Sequence, residues 1–318
     1  MLDQENSVQQ EALGIVGVNL LYAAFCPHHK PELTVESLLD NLTTKRIEID
    51  MIELSGIEFR HVDNRVMSLK LVQLGLSGAA MLGPSGEVLQ PSEVLRKRSI
   101  LVERGSFRPV TKVNIDMIDA ARARFVAEPE VQADQVVELM EITMRHLLAT
   151  GGIDLGGFLA RADVLAAAGK TVLISDYSEY YRLAAYLTRY TNEAIALTMG
   201  LSSRQELFTE HYYDGLEGGI LEAFGKLFTK DLRIYVYPLR DPATGILKTG
   251  DTLQMPADLE NLYRHLVSRG RIKQLDNRVH SPVLTVVRSL RVGSPVLATS
   301  RPGAGFGCLV SNGPVRAK

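Results

Sequence analysis

The sequence predicts an α/β protein: a mostly parallel sheet with flanking helices, built as a doubly wound open sheet or as an irregular β/α barrel. Three observations point there. Short runs rich in Val, Ile and Leu alternate with longer stretches of helical period. Several of those runs are apolar on both faces, as buried parallel strands are. The chain has 318 residues, 46% of them hydrophobic, enough for a large packed core.

Strand-like runs lie at 14–20 (GIVGVNL), 46–52 (RIEIDMI), 78–82 (GAAML), 99–103 (SILVE), 136–142 (VVELMEI), 170–175 (KTVLIS), 194–199 (AIALTM) and 233–239 (RIYVYPL). Helical spacing covers 32–42 and 114–126, the latter with Ile115, Ile118, Ala121 and Phe125 near one face. A third helix opens on Asp154 as N-cap and stops at Gly169 as C′ glycine, and a fourth opens on Ser178. An amphipathic stretch from Arg204 to Leu227 is broken near Gly215, Gly218 and Gly219, and a last helix falls within 256–270.

This gives an N-terminal extension at 1–13 and an α/β domain at 14–276, with a division into two lobes near 126–135 as an alternative. A poorly ordered basic tail follows at 277–318. After Asp276 no acidic residue occurs, while six of the 35 basic residues do, so residues 1–276 hold 29 basic and 37 acidic side chains. The tail is rich in Gly and Pro and lacks any period. A flexible tail, a reading-frame change in the gene and a basic arm for an acidic partner all fit that composition.

The net charge of −2 disfavours a nucleic-acid partner. No apolar run reaches the roughly 18 residues of a membrane span, and the N-terminus lacks the basic-then-apolar pattern of a signal peptide. Cys26 and Cys308, far apart, form neither a disulfide framework nor a zinc motif. Together these predict a cytoplasmic protein with free thiols.

Ligands of parallel α/β folds bind at the carboxyl ends of strands. LVERGSFRP delivers Glu103, Arg104, Ser106 and Arg108 there. LMEIT delivers Glu141, LISDYSEYY delivers Asp176 and Tyr177, and RIEIDMIE carries Asp50 and Glu53. Carboxylates on one rim suit a metal such as Mg²⁺, ribose hydroxyls or acid–base work; arginines beside them suit phosphate. Helix capping and structural pairing explain the same residues equally well. Nine of the eleven tyrosines fall between Tyr177 and Tyr237, as core packing or as a stacking surface for a base. A Walker loop is excluded: GGILEAFGK (218–226) is followed by Leu227, not Ser or Thr.

Phe25, Pro27 and His29 in AAFCPHHKPEL resemble the opening of the nucleotidyltransferase signature GxFxPxHxGH. Ala23 replaces its first glycine, and Pro31-Glu32 replaces its closing Gly-His. More widely, LVERGSFRPVT, LMEIT, FLARADVLAAAGKTVLISDYSEYYRLAAYLTRYT and GGILEAFGKLFTKDLRIYVYP resemble a bacterial family of long proteins. Its members go by nicotinate-nucleotide adenylyltransferase and by TonB-dependent receptor. That resemblance covers about 14–270 and implies a longer N-terminus in other members, with this chain a shortened one. The absence of a signal peptide and of alternating barrel strands excludes the receptor. The adenylyltransferase label implies a nucleotidyltransferase acting on a nucleotide or phosphorylated metabolite. In that reading His29 stabilises the transferring phosphoryl group, Glu141 and Asp176 orient ribose or a metal, and Arg104, Ser106, Arg108 and Tyr177 hold the ligand and its phosphates. A non-catalytic scaffold or regulatory protein using the same pocket, as a monomer or homo-oligomer, is the alternative.

Overall fold

In the computed structural model, residues 6–25, 31–149, 151–240, 246–250 and 255–275 are described. In chain order they form α1 (Asn6–Phe25), α2 (Pro31–Ser37), α3 (Asn64–Gln73), β1 (Ala79–Leu82), β2 (Val88–Leu89), α4 (Pro91–Val94), β3 (Ser99–Arg104) and α5 (Lys112–Phe125). Then come β4 (Val136–Thr143), α6 (Met144–Leu148), α7 (Leu155–Ala167), β5 (Thr171–Ser175), α8 (Tyr180–Leu187), β6 (Ile195–Gly200), α9 (Leu201–Leu207) and α10 (Gly219–Leu227). The last are β7 (Arg233–Tyr237), β8 (Leu239–Arg240), β9 (Leu247–Lys248), α11 (Glu260–Ser268) and β10 (Ile272–Gln274).

Eight strands make one open sheet in the order β10-β7-β6-β3-β4-β5-β1-β2. Every pair from β10 to β5 is parallel, and β1 and β2 add an antiparallel edge. Among the described residues the sheet does not close on itself, with β10 at one end and β2 at the other, so the doubly wound arrangement holds and the barrel does not. The strands on either side of 126–135, β3 and β4, pair directly over Ser99–Arg104 and Val136–Glu141. A separate two-stranded ladder joins β8 and β9.

Alternation along the strands divides the core into two layers. Ile100 and Val102 of β3 join Leu139, Leu173, Leu197 and Val236 on one face, under Leu183 of α8, Phe224 of α10 and Leu266 of α11. Leu101 joins Met140, Ile174, Ala196 and Tyr235 on the other, under Ile118 and Phe125 of α5 and Phe158 of α7. The strands are apolar on both faces because helices cover both, which is why their sequences read as continuous apolar runs.

The helix ends obey local chemistry. Thr111 and Asn114 form a capping box at the start of α5. Asp154 caps α7 by accepting from the Gly157 N–H, and Gly169 follows the helix at φ +71°. Ser178 does not cap α8: the cap position is Glu179, with no side-chain bond, and Ser178 lends its carbonyl to Arg104 instead.

Two predicted strands are corrected. GIVGVNL (14–20) lies inside the 20-residue helix α1. Asn19 is its one polar side chain, so the run carries no period of two, and helix-favouring Gln, Glu, Ala and Leu precede it while Leu and Ala follow. RIEIDMI (46–52) forms no strand and lies outside the sheet: Arg46 closes a turn by donating its backbone N–H to the Thr43 carbonyl, and the Ile49 N–H donates to the Leu76 carbonyl. The predicted helix at 32–42 is the short α2, which ends at Ser37. His28, His29, both cysteines and the tail 277–318 lie outside the described residues. Among the described residues no helix is long and apolar enough to cross a membrane.

Phe125 is fully buried and meets the Tyr235 ring edge-on, at 6.3 Å between centroids, tying α5 to β7. Phe125→Ala is expected to cost about 3–5 kcal/mol through lost contacts and cavity formation. A lowered urea midpoint with an unchanged denaturant slope is the check.

Candidate functional site

The strand order β5-β4-β3-β6-β7-β10 is the 3-2-1-4-5-6 order of a doubly wound sheet. The chain leaves β3 over one face, through α5, and leaves β6 over the other, through α9 and α10. The connections diverge above the neighbouring strands β3 and β6, and a crevice opens at their carboxyl ends.

A cavity of about 430 Å³ occupies that position. The loop after β3 supplies Arg104, Gly105 and Ser106. The segment after β4 supplies Thr143, Arg145 and His146, and the segment after β5 supplies Ser178, Glu179 and Tyr180. From beyond β6 come Ser203 and Glu206, with Tyr212 and Tyr213 forming a further wall. Its volume suits a ligand of nucleotide size.

Beneath the floor lies a buried ion pair. Arg104 and Glu141 are register partners on β3 and β4, so their side chains leave the sheet on the same face. The Arg104 Nε donates to Glu141 Oε2 at 2.7 Å and Nη2 donates to Oε1 at 2.9 Å, a two-pronged fork. Ser175 Oγ on β5 donates to the same Oε1 at 2.6 Å. The guanidinium also donates to the carbonyls of Ser178 (2.6 Å) and Tyr177 (2.8 Å), and lies 4.2 Å from the Tyr180 ring centroid. Burial opposes the charge on Arg104, but the Glu141 carboxylate beside it reverses the balance and leaves its pKa raised. The two residues come together at the predicted rim, engaged with each other and with the 177–178 backbone.

The other predicted residues are more dispersed. Ser106 lines the cavity, and its carbonyl accepts from Arg161 Nη1 at 3.1 Å. Asp176 follows β5 at the same end of the sheet, but is exposed and does not line the cavity. Arg108 is exposed, 3.9 Å from Asp154. Tyr177 packs on Tyr186 at 5.2 Å between centroids and lines a separate shallow groove with Tyr181, Arg182, Arg189 and Lys226. Asp50 and Glu53 sit outside the sheet, on a segment that forms neither helix nor strand. Among the described residues no three carboxylate, histidine or cysteine groups converge as metal ligands.

Glu103, one residue before Arg104, points to the opposite face. It is fully buried beneath α5, and its Oε1 accepts from Asn114 Nδ2 at 3.0 Å. Its Oε2 has no hydrogen-bond partner among the described residues, nor does Oγ1 of its register neighbour Thr198 on β6. Burial pushes the Glu103 pKa well above the ordinary carboxylate range, and the Asn114 bond offsets only part of this.

Arg145, His146, Ser203, Glu206 and Tyr212 were not among the predicted residues; they sit on α6, on α9 and in the turn Glu210–Tyr213 rather than at the strand ends. The signal was present: MRH follows LMEIT directly, and SSRQE follows ALTMGL. Thr143 Oγ1 accepts the His146 backbone N–H at 3.3 Å. Burial, then the charge of Arg104, hold the His146 pKa below its usual value, so the imidazole is neutral near pH 7. Its Nδ1 is buried without a partner among the described residues. Arg145 donates to the Tyr212 hydroxyl at 3.4 Å and lies 5.5 Å from that ring centroid.

Against known proteins, the chain matches no family model and no curated protein.

Arg104→Met, which strands Glu141 in the interior, is expected to lose about 3–5 kcal/mol, while Arg104→Met/Glu141→Leu recovers much of that loss. Urea unfolding of both variants measures the difference. A raised folded-state pKa means that Glu103 favours folding while protonated. Its contribution is fully present at acidic pH and is lost as pH rises from the ordinary carboxylate range towards the raised value. Glu103→Gln is expected to remove that downward slope from the profile of urea midpoint against pH.

Proposed function

We propose that the protein is an enzyme acting on a nucleotide or a related phosphorylated metabolite in the cleft between β3 and β6. The observation that carries this reading is the cleft's place at the sheet's switch point, the position at which doubly wound folds hold such ligands. Arg145, on the cleft wall, offers a fork to a phosphate. Tyr212, 37% exposed, offers a ring face to a base. Ser106, Ser178 and Ser203 add hydroxyls, and Glu206 suits a sugar hydroxyl. Neutral His146 is suited to proton transfer at the ligand. Nucleotidyl transfer is the concrete reaction we favour, on the resemblance carried by Phe25, Pro27 and His29.

One observation favours a second reading, a binding protein without turnover. The most buried polar pair at the site, Arg104 with Glu141, is committed to holding the loops.

A thermal-shift series with mononucleotides, dinucleotides and sugar phosphates, with and without Mg²⁺, tests the proposal. A ligand at about 100 times its Kd should stabilise the fold by about 2.7 kcal/mol. Arg145→Ala should abolish the shift, whereas His146→Gln should keep it and lose any turnover seen by mass spectrometry. Failure of every phosphorylated compound to shift the wild type overturns the reading. Binding without turnover in the wild type selects the second.

A further inference from the structure

The charged groups around the cleft differ in how far they are already engaged. Arg104 is spent on Glu141 and on the carbonyls of Tyr177 and Ser178. Glu179 Oε2 lies 3.5 Å from Arg182 Nη1. Arg145 is exposed, donates to the Tyr212 hydroxyl, and makes no other hydrogen bond or ion pair among the described residues. Glu206 is exposed and makes none there, yet its charge reaches Arg145, His146 and Tyr180. Its position is fixed from behind. Leu201, Arg204 and Leu207 turn α9 towards the core, and Arg204 donates to the Gly250 carbonyl at 2.8 Å. Ser203 and Glu206, three residues apart, share the side that lines the cleft. With the paired groups set aside, the cleft lining holds one cation, Arg145, and one carboxylate, Glu206.

We infer that Glu206 restricts the cleft to ligands with a single phosphate, making it selective for a phosphomonoester over the corresponding di- or triphosphate. The inference rests on the reading of this cleft as a site for a phosphorylated ligand. A phosphomonoester carries about 1.5 to 2 negative charges at pH 7, and one guanidinium fork matches two of its oxygens. Arg145 supplies that fork. Every further phosphate adds negative charge, and the lining has no second unengaged guanidinium or ammonium to receive it. It meets the Glu206 carboxylate instead. A triphosphate can make every attractive contact that its monophosphate makes, so discrimination between them needs a repulsive element, and Glu206 is that element. Like charges in a partly desolvated cleft are worth at least about tenfold in affinity. Toward the monoester the same carboxylate acts as an acceptor for a ligand hydroxyl. In a nucleotidyl transfer the cleft then seats the acceptor rather than the triphosphate donor.

Isothermal titration calorimetry of the full chain provides the test. The probes are adenosine and uridine 5′-mono-, di- and triphosphates and ribose 5-phosphate, each with and without Mg²⁺. For the wild type, the tightest monoester should bind at least about tenfold more tightly than any di- or triphosphate. A mononucleotide and ribose 5-phosphate both satisfy this, and their relative affinity tells a nucleotide from a sugar phosphate as the source. Glu206→Gln keeps the shape of the side chain and removes its charge. It should narrow the ratio of mono- to triphosphate affinity to within about threefold, chiefly by tightening the triphosphate. A ratio of two affinities measured on one variant does not respond to a loss of folded protein, so a purely structural role for Glu206 leaves it unchanged. Should Glu206→Gln fail to fold, Glu206→Ala replaces it with the same expectation. A triphosphate that binds as tightly as the monoesters overturns the inference and leaves the proposed function standing, as does an unchanged ratio in the variant. Absence of binding by every compound overturns both.

Discussion

The fork between Arg104 and Glu141 is the constraint from which the architecture of the cleft follows. It joins the ends of two central strands, takes in Ser175 from a third, and holds the backbone of 177–178 through its remaining donors. Charges buried this deeply are tolerated because nearly every lone pair and N–H is matched. The loop after β5 is consequently fixed over the sheet, with Glu179 and Tyr180 forming a wall of the cavity. A rigid scaffold under polar loops is how α/β proteins achieve precise ligand geometry without rigid loops of their own.

Strand alternation then assigns different chemistry to adjacent residues. Glu103 and Arg104 are consecutive, yet one lies under α5 as a buried acid with a strongly raised pKa and the other builds the cleft floor. The period of two makes this unavoidable for any strand covered on both faces. Polar groups collect at the carboxyl end on both sides of the sheet, and the cavity opens on one of them.

The central strands were legible because their apolar runs are long, rich in branched residues and bounded by turn chemistry. The Asp154 cap and the Gly169 stop were legible for the same local reason. GIVGVNL was misread because a run with a single polar residue, Asn19, shows no clear period, so its flanks had to decide. Strands β2 and β10, two and three residues long, carry too little sequence to announce themselves. At the site, the carboxyl-end rule led to Arg104, Ser106 and Glu141. Sequence could not reveal that the first and last of these are spent on each other, since that depends on register between strands 37 residues apart. Arg145 and His146 sit on α6 and Ser203 on α9, and the sequence of so short a helix does not say which side of it meets a cleft.

The position of β6 beside β3 has a consequence for how the protein can be divided. One wall of the crevice comes from the continuous stretch β3–β4–β5, and another arrives only with β6 and the segment behind it. On the ribosome, the first group emerges with its innermost strand still lacking one neighbour, and stays so until Ile195–Gly200 has been made. No contiguous fragment ending before that point can hold the crevice. The two halves of the sheet are therefore not modules that could be inherited, swapped or expressed separately with the site intact.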